Sequence, residues 1–291
     1  MVAETPIQIQ QHPNSMKIIE QHIAGKNAAA ACEDGIIVTP HFAAVIDGST
    51  SKTPLHIHHD CTNGRFCMML ISEYVASMPP DISLEAFLHG ITQHIRRQYA
   101  TANISMQRLD SHTEERLTAS AAIYSQSRQQ VWLVGDCQCL VGGILHDNPK
   151  PQEAHIAAKR AAFLHQVMQQ GTTVDDIRHH DIGRDHIVAD IIEGSRRQNI
   201  DYAVIDGFPI YQRGVKTISV TPGDEVVIAT DGYPVLCPTL QATENALAQL
   251  LHDDPLLIHH YQATKAHMLG NSSFDDRAYL RVVADDTEVN R

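Results

Sequence analysis

The 291-residue sequence predicts an α+β fold in which largely antiparallel sheets are covered by helices. Two observations support this prediction. Short apolar runs with turn residues at their ends occur in groups, which is typical of strands joined by hairpins. Between the groups lie longer stretches whose apolar residues recur at helical spacing. The predicted order is strands, two helices, strands, a helical insert, strands, two helices and a last strand.

Nine apolar runs are interpreted as strands. They span residues 17–25, 41–46, 118–125, 130–135, 138–144, 202–206, 214–220, 225–230 and 277–284. Helices are predicted at 61–78 and 83–102, and a helical insert at 151–198 with breaks near Gly171 and Gly183. A further helix is predicted at 240–251. Another is predicted to start at Asp254-Pro255, because Asp can cap a helix and Pro suits the first helical position.

Composition narrows the class of protein. No repeat or linker divides the sequence, so one domain is expected over residues 1–291, with residues 1–15 as a loose leader. The formal net charge of −12 disfavours nucleic acid and membrane surfaces as partners. No run approaches the roughly 18 apolar residues of a membrane span, and no signal peptide is recognisable. Six cysteines without a C-x-x-C pair favour a reduced, cytoplasmic protein.

Acidic residues stand at the ends of several predicted strands. Three of them directly follow a buried-looking apolar run, one precedes the last strand, and two lie just ahead of the second strand region. These residues are Glu33, Asp34, Asp47, Asp136, Asp231 and Asp275.

A single Asp-Gly after a strand is explained most simply as a turn, and Asp206-Gly207 is interpreted in that way. Five such sites together favour another explanation. Strands of one sheet can bring their ends to one edge, where four or five carboxylates would repel one another strongly. Divalent cations with oxygen ligands offset that repulsion. We therefore expect a metal site at this edge, with Asp47 foremost among its ligands.

Five motifs around these residues resemble, in order and approximate spacing, those of the PPM family, the metal-dependent protein phosphatases of 2C type. They are Cys32-Glu33-Asp34-Gly35, Val45-Ile46-Asp47-Gly48, Val131-Trp132-Leu133-Val134-Gly135-Asp136, Ala229-Thr230-Asp231-Gly232-Tyr233 and Ser272-Ser273-Phe274-Asp275-Asp276. The resemblance runs from about residue 17 to 284 and is weak in the insert at 146–200. It implies a four-layer sandwich of two packed antiparallel sheets flanked by helices.

The resemblance also implies a site with two Mg²⁺ or Mn²⁺ ions. By carry-over, Asp47 bridges both ions, and Asp231 and Asp275 complete the shell of one; these three are the predicted catalytic residues. The other ion is expected to be held by Glu33, Asp34 and the Gly48 carbonyl, partly through water, with Asp136 at an optional third ion. The implied reaction hydrolyses a phosphate monoester, foremost phosphoserine or phosphothreonine in a protein, by a hydroxide activated between the two ions.

On the phosphate side the sequence departs from the family pattern. Ala29 stands where eukaryotic members place a phosphate-binding Arg, and Lys26 and Lys52 are the nearby candidates to replace it. Val235 occupies a position that is often Asp, which weakens the prediction of a third ion.

On the leaving-group side, Ser49 stands where many members have His directly after the central Asp-Gly. Candidates to protonate a leaving group are His56, His58 and His59. These departures leave two alternatives open. One is a phosphatase for a small phosphorylated molecule, and the other is a non-catalytic, metal-binding regulatory module of the same fold. The sequence does not predict the oligomeric state.

Overall fold

The structure, a computed structural model, describes residues 16–27 and 31–285. Its strands are β1 Lys17–Ala24, β2 Gly35–Val38, β3 Phe42–Gly48, β4 Ala119–Ser125, β5 Gln130–Val134, β6 Gln138–Val141, β7 Ile144–His146, β8 Val215–Ser219, β9 Glu225–Ala229 and β10 Arg277–Val283. Its α-helices are α1 Asn63–Ala76, α2 Leu84–Thr101, α3 Met106–Ser111, α4 Glu153–Gln169, α5 Val174–His179, α6 Ile182–Ser195 and α7 Leu240–Asp253.

The strands form two five-stranded sheets in which every neighbouring pair is antiparallel. One sheet has the order β1-β10-β9-β6-β7 and the other the order β2-β3-β4-β5-β8. Apolar side chains of both sheets fill a shared core between them. Helices α1 and α2 pack on the outer face of the second sheet, and α7 packs on the outer face of the first. The predicted fold of two packed antiparallel sheets flanked by helices is confirmed.

Strand β3 shows how the sequence builds these layers. All of its first five residues are apolar and buried, because both faces of the sheet are covered. Ala43 and Val45 point into the core between the sheets, whereas Ala44 and Ile46 point toward α1 and α2. A strand buried on both faces can carry a polar residue only where it ends, which is where Asp47 lies.

The segment between the sheets' strands β7 and β8 forms a helical insert with its own small core. Helices α4, α5 and α6 pack against residues 256–268, which precede β10. At the centre is Arg160, whose side chain is fully buried. Its guanidinium donates to the Asp181 carboxylate at 2.8 and 3.3 Å, and to the carbonyls of Leu256 and Ala263 at 2.9 and 3.1 Å. This pair fixes the insert to the segment before β10.

Several predicted boundaries were wrong in informative ways. Strand β2 was missed because it has only four residues. The run 138–144 was predicted as one strand, but it contains all of β6 and the first residue of β7, joined by a tight turn at Gly142-Gly143. Both glycines have positive φ angles, +54° and +81°, as a two-residue hairpin turn of this kind requires. In the insert the second break lies at His180-Asp181, just before Gly183.

The run 202–206 is not a strand. Its residues are buried, but within the described chain it pairs only through two isolated bridges, one between Ile205 and Ala119 and one between Tyr202 and Gln198. The reason is that the Asn199 side chain takes up the backbone of Val204, accepting from its N–H and donating to its carbonyl, both at 3.1 Å. Asp206 terminates the run in a bend, as predicted, and accepts from the N–H of Phe208 at 2.9 Å.

No helix starts at Asp254-Pro255. Asp254 instead ends α7, and its carboxylate accepts from the backbone N–H groups of Ile258 and His259, both at 2.8 Å. Leu257, which precedes Ile258, has a φ of +52°, and a right-handed helix cannot contain such a residue. The side chain therefore stabilises a compact turn in place of a helical first turn.

Two of the sequence expectations fall beyond the parts that the structure describes: the leader at residues 1–15 and the position of Ala29. Within residues 16–27 and 31–285, no helix combines the length and the apolar character that crossing a bilayer requires.

Candidate metal centre

Antiparallel pairing brings the predicted carboxylates to one edge of the molecule. In the second sheet, the end of β3 pairs with the start of β2, so that Ile46 faces Gly35 and Asp47 lies near Asp34. In the first sheet, the end of β9 pairs with the start of β10, which places Asp231 beside the Asp275-Asp276 pair. The two sheets are linked here by the Thr230 hydroxyl, which donates to the Asp34 carboxylate at 2.7 Å.

Asp136 reaches the same edge because the chain changes sheets at that point. Strand β5 belongs to the second sheet and β6 to the first, and Gly135-Asp136 forms part of the connection. Gly135 has a φ of +90°, and a Cβ there would lie 2.2 Å from the Ser120 hydroxyl oxygen. Only glycine fits this close crossing. Ser120 in turn donates to the Asp136 carboxylate and fixes its orientation.

One carboxylate oxygen from each of Asp47, Asp136 and Asp231 lies within 4.8 Å of the other two. Burial raises the pKa of Asp47 well above its usual range, and the nearby charges of Asp231, Asp34 and Asp136 raise it further. Asp231 behaves in the same way, with burial first and then repulsion from Asp136 and Asp275 raising its pKa. The cluster therefore holds more negative charge than its surroundings neutralise.

This cluster fits a divalent cation. Its donors are carboxylate oxygens only, the ligand type that Mg²⁺ and Mn²⁺ prefer, and the repulsion that raises the two pKa values is what a bound cation relieves. Asp47 and Asp231 line one open cleft together with Asp34, Gly48 and Asp275. Asp136 lies behind the cleft wall, bonded to the lining residues Ser120 and Lys150. The structure thus groups Asp136 with Asp47 and Asp231 in one cluster.

The two residues of the first acidic motif lie in different settings. Asp34 is buried in the cleft wall, and burial raises its pKa although the hydrogen bond from Thr230 opposes this. Glu33 is held behind the cleft by the hydroxyls of Thr50 and Thr62, which donate to its two carboxylate oxygens at 2.8 and 2.5 Å. Glu33 is therefore engaged in fixing the two ends of the segment between β3 and α1.

Gly48 is required by close packing. A Cβ at this position would lie 2.4 Å from the carbonyl oxygen of Gly64 and 2.6 Å from that of Glu33. The backbone N–H of Gly48 also donates to the Glu33 carbonyl at 3.2 Å. A turn at Asp47-Gly48 is therefore compatible with a metal ligand there, because the glycine lets the chain turn while the aspartate lines the cleft.

Asp275 is placed in the cleft but carries its own counter-charges. Lys265 pairs with its carboxylate, and Lys26 donates to it at 3.2 Å. Burial opposes ionisation of Asp275, but these two ammonium groups hold its pKa below the usual range. Its neighbour Asp276 accepts from the backbone N–H groups of Lys26 and Glu33 at 2.8 and 2.9 Å, which ties the first acidic motif to the start of β10.

Of the basic residues that line the cleft, the sequence identified Lys52 but not Lys150, Arg184 and Lys265. Lys150 pairs with the Asp136 carboxylate; burial opposes ionisation of Asp136, but Lys150 and Ser120 hold the pKa of that carboxyl below its usual range. Lys150 and Arg184 come from the insert and its approach, and Lys265 from the segment before β10. None of them lies in a recognisable motif, so only their tertiary placement reveals them.

The residues proposed to replace the missing phosphate-binding Arg and the missing His differ in whether they line the cleft. Lys52 lines the cleft, whereas Lys26 is committed to the carboxylates of Asp275 and Asp276. None of the three candidate histidines, His56, His58 and His59, lines the cleft. His58 and His59 stack on each other on the segment between β3 and α1, and the His59 side chain is 83% exposed.

Comparison with known proteins gives similarity only at the level of solved structures. No family model and no curated protein matches the sequence. The catalytic domain of the serine/threonine phosphatase PstP in complex with two manganese ions is similar, with a TM-score of 0.46, 12% identity and coverage of 93% of this chain and 100% of that one. A serine/threonine phosphatase of S. agalactiae is similar with a TM-score of 0.46 and 13% identity, over 93% of this chain and 100% of that one. PppA, described as a key regulatory component of T6SS in Pseudomonas aeruginosa, is similar with a TM-score of 0.46 and 13% identity, over 91% of this chain and 96% of that one.

Proposed function

We propose that this protein is a metal-dependent phosphatase that hydrolyses a phosphate monoester, with phosphoserine or phosphothreonine in a protein as its substrate. The observation that carries the proposal is the cluster of Asp47, Asp136 and Asp231, two of which, Asp47 and Asp231, line an open cleft. Three carboxylates so close together are costly without a cation, and their geometry is of use for binding one.

In this proposal Asp47, Asp136 and Asp231 hold Mg²⁺ or Mn²⁺, with Asp34, Asp275, Glu33 and Gly48 as the further ligands that the family resemblance implies. The ions, when bound, supply a water nucleophile of lowered pKa and offset negative charge on the phosphoryl oxygens. Ser120 and Thr230 orient the carboxylates of Asp136 and Asp34 through the hydroxyl hydrogen bonds described above.

The proposal assigns the protein to the cytoplasm. All six cysteines are unpaired thiols in the structure, which suits a reducing compartment.

A second candidate function is favoured by one specific observation. Lys150 and Lys265 already pair with Asp136 and Asp275 and so supply part of the positive charge that ions would bring. These two pairs are also what a non-catalytic regulatory module would contain, in which lysines replace some of the charge of the metal ions. It predicts metal binding without turnover.

The test compares wild-type protein with Asp47→Asn on p-nitrophenyl phosphate and on phosphoserine and phosphothreonine peptides, each with Mn²⁺ and with EDTA. We expect Mn²⁺-dependent turnover that Asp47→Asn abolishes. The matched control is Asp224→Asn, another aspartate next to a strand end, which lies outside the cleft and whose carboxylate accepts from the N–H of Thr221. Metal binding by calorimetry without turnover on any substrate supports the second candidate, and no metal binding at all refutes both.

A further inference from the structure

Four cationic side chains line the same cleft as the carboxylate cluster: Lys52, Lys150, Arg184 and Lys265. They fall into two pairs. Lys150 and Lys265 each form a salt bridge with a carboxylate of the cleft, Asp136 and Asp275 respectively. Their charges are therefore already balanced within the protein.

Lys52 and Arg184 have no such partner. Within the described part of the chain, neither has a carboxylate oxygen within 4.0 Å. The Lys52 ammonium donates to the Ser49 hydroxyl and the Thr50 carbonyl, both at 3.0 Å, and Arg184 donates one bond to the Thr264 carbonyl at 3.0 Å. An ammonium has three N–H donors and a guanidinium five, so both groups retain donors for a ligand.

The electrostatic environment of these two cations favours an anion. Burial lowers the pKa of Lys52 to about 8, and the charges of Arg184, Lys150 and Lys265 contribute to this shift. Burial likewise lowers the pKa of Arg184. Two cations that are partly desolvated and repel each other are stabilised by a ligand carrying two negative charges.

Both residues are held in place by parts of the fold already described. Arg184 lies in the first turn of α6, where its backbone N–H donates to the Asp181 carboxylate at 2.9 Å. Asp181 is the partner of buried Arg160, so the position of Arg184 is fixed by the core of the insert. Lys52 lies four residues after Gly48, on the segment whose Thr50 side chain binds Glu33.

We propose that Lys52 and Arg184 form the anion subsite that holds the dianionic phosphoryl group of the substrate beside the carboxylate cluster. This inference rests on the proposed function and assigns the phosphate-binding role to two residues in different parts of the fold. The planar guanidinium of Arg184 suits two phosphoryl oxygens at once, and Lys52 adds a point charge. The apolar side chains of Ile156 and Ile191, which line the cleft on the insert, then face the leaving group.

The test measures inorganic phosphate as the probe, in wild-type protein and in Lys52→Gln and Arg184→Gln. Phosphate binding is followed by calorimetry with and without Mn²⁺, and as competitive inhibition of p-nitrophenyl phosphate hydrolysis. We expect each substitution to weaken phosphate binding by about tenfold or more, the range for a hydrogen bond to a charged group. KM should rise by a similar factor with a smaller change in kcat, and Arg184→Lys should recover part of the loss.

Two controls separate this role from a structural one. Arg196→Gln removes an exposed arginine of the insert, which pairs with Glu193, and should leave phosphate binding unchanged. Mn²⁺ affinity should not weaken in Lys52→Gln or Arg184→Gln, because neither side chain contacts the carboxylate cluster, and their melting temperatures show whether they fold.

The outcomes distinguish this inference from the proposed function. If the wild-type protein turns over and both variants bind phosphate as tightly as it does, the subsite is refuted while the phosphatase proposal stands. If the wild-type protein shows no turnover but binds phosphate, and both variants lose that binding, the subsite is supported and the phosphatase proposal is refuted.

Discussion

Replacing Asp181 by alanine should lower the free energy of unfolding by about 4–6 kcal/mol. The Asp181 carboxylate accepts from the Arg160 guanidinium and from the backbone N–H groups of Arg184 and Ala266. Its loss leaves the fully buried Arg160 charge without a carboxylate, which costs about 3–5 kcal/mol. It also removes the cap of α6, which adds about 1 kcal/mol.

The assay is urea denaturation followed by circular dichroism, with Arg160→Met and the double variant completing a thermodynamic cycle. The double variant should be more stable than Asp181→Ala alone, because it no longer contains a buried unpaired charge. The matched control is Asp190→Ala, which breaks the exposed pair of Lys159 and Asp190 between the same two helices and should cost at most about 1 kcal/mol. A loss below about 1 kcal/mol for Asp181→Ala, or strictly additive effects in the cycle, refutes the reasoning.

Three further predictions concern the carboxylate cluster. Asp47→Asn should raise the melting temperature in EDTA, because it removes a charge from the repelling cluster, and should abolish the increase that Mn²⁺ causes in the wild-type protein. Lys150→Met should bind Mn²⁺ about tenfold more tightly by calorimetry, because the Lys150 ammonium beside Asp136 repels the ion, and a tenfold change requires only about 1.4 kcal/mol. The control Lys159→Met, which removes an exposed lysine paired with Asp190, should leave the Mn²⁺ affinity unchanged. The free energy of unfolding of the metal-free protein should fall as the pH rises above about 4. Folding raises the pKa of Asp34, Asp47 and Asp231, so their protonated forms stabilise the folded state at low pH, and this stability is lost as the pH rises through their pKa values. Asp136 and Asp275 have lowered pKa values and titrate below this window. A melting temperature in EDTA that does not decline between about pH 5 and 8 contradicts this last prediction.

The sequence was sufficient to predict the parts of the site that depend on local order. An apolar run ending in an aspartate marks where a buried strand reaches the surface, and antiparallel pairing then places such ends together. For this reason the residues that the structure brings together, Asp47, Asp136 and Asp231, could be found without coordinates.

The counter-charges could not be predicted, because they depend on tertiary packing. Lys150 and Lys265 are separated from the carboxylates they pair with by 14 and 10 residues, and no spacing rule relates them. Arg184 reaches the cleft only because the buried pair of Arg160 and Asp181 fixes α6 against the segment before β10. The same limitation explains the wrong strand at 202–206, where the side chain of Asn199 replaced a neighbouring strand as the backbone partner.

The pairing of β1 with β10 has a consequence for how the protein is made. Lys17 lies opposite Val283, so the first strand of the described chain finds this partner only after the residues between them have been synthesised. At about 5–20 residues per second, β1 remains without that partner for roughly 15 to 50 seconds. In the second sheet β2, β3, β4 and β5 wait for a shorter time, because they pair with their neighbours in chain order, and β8 joins them later. Biogenesis should therefore proceed from that sheet, and chaperones should engage nascent chains that end before β10.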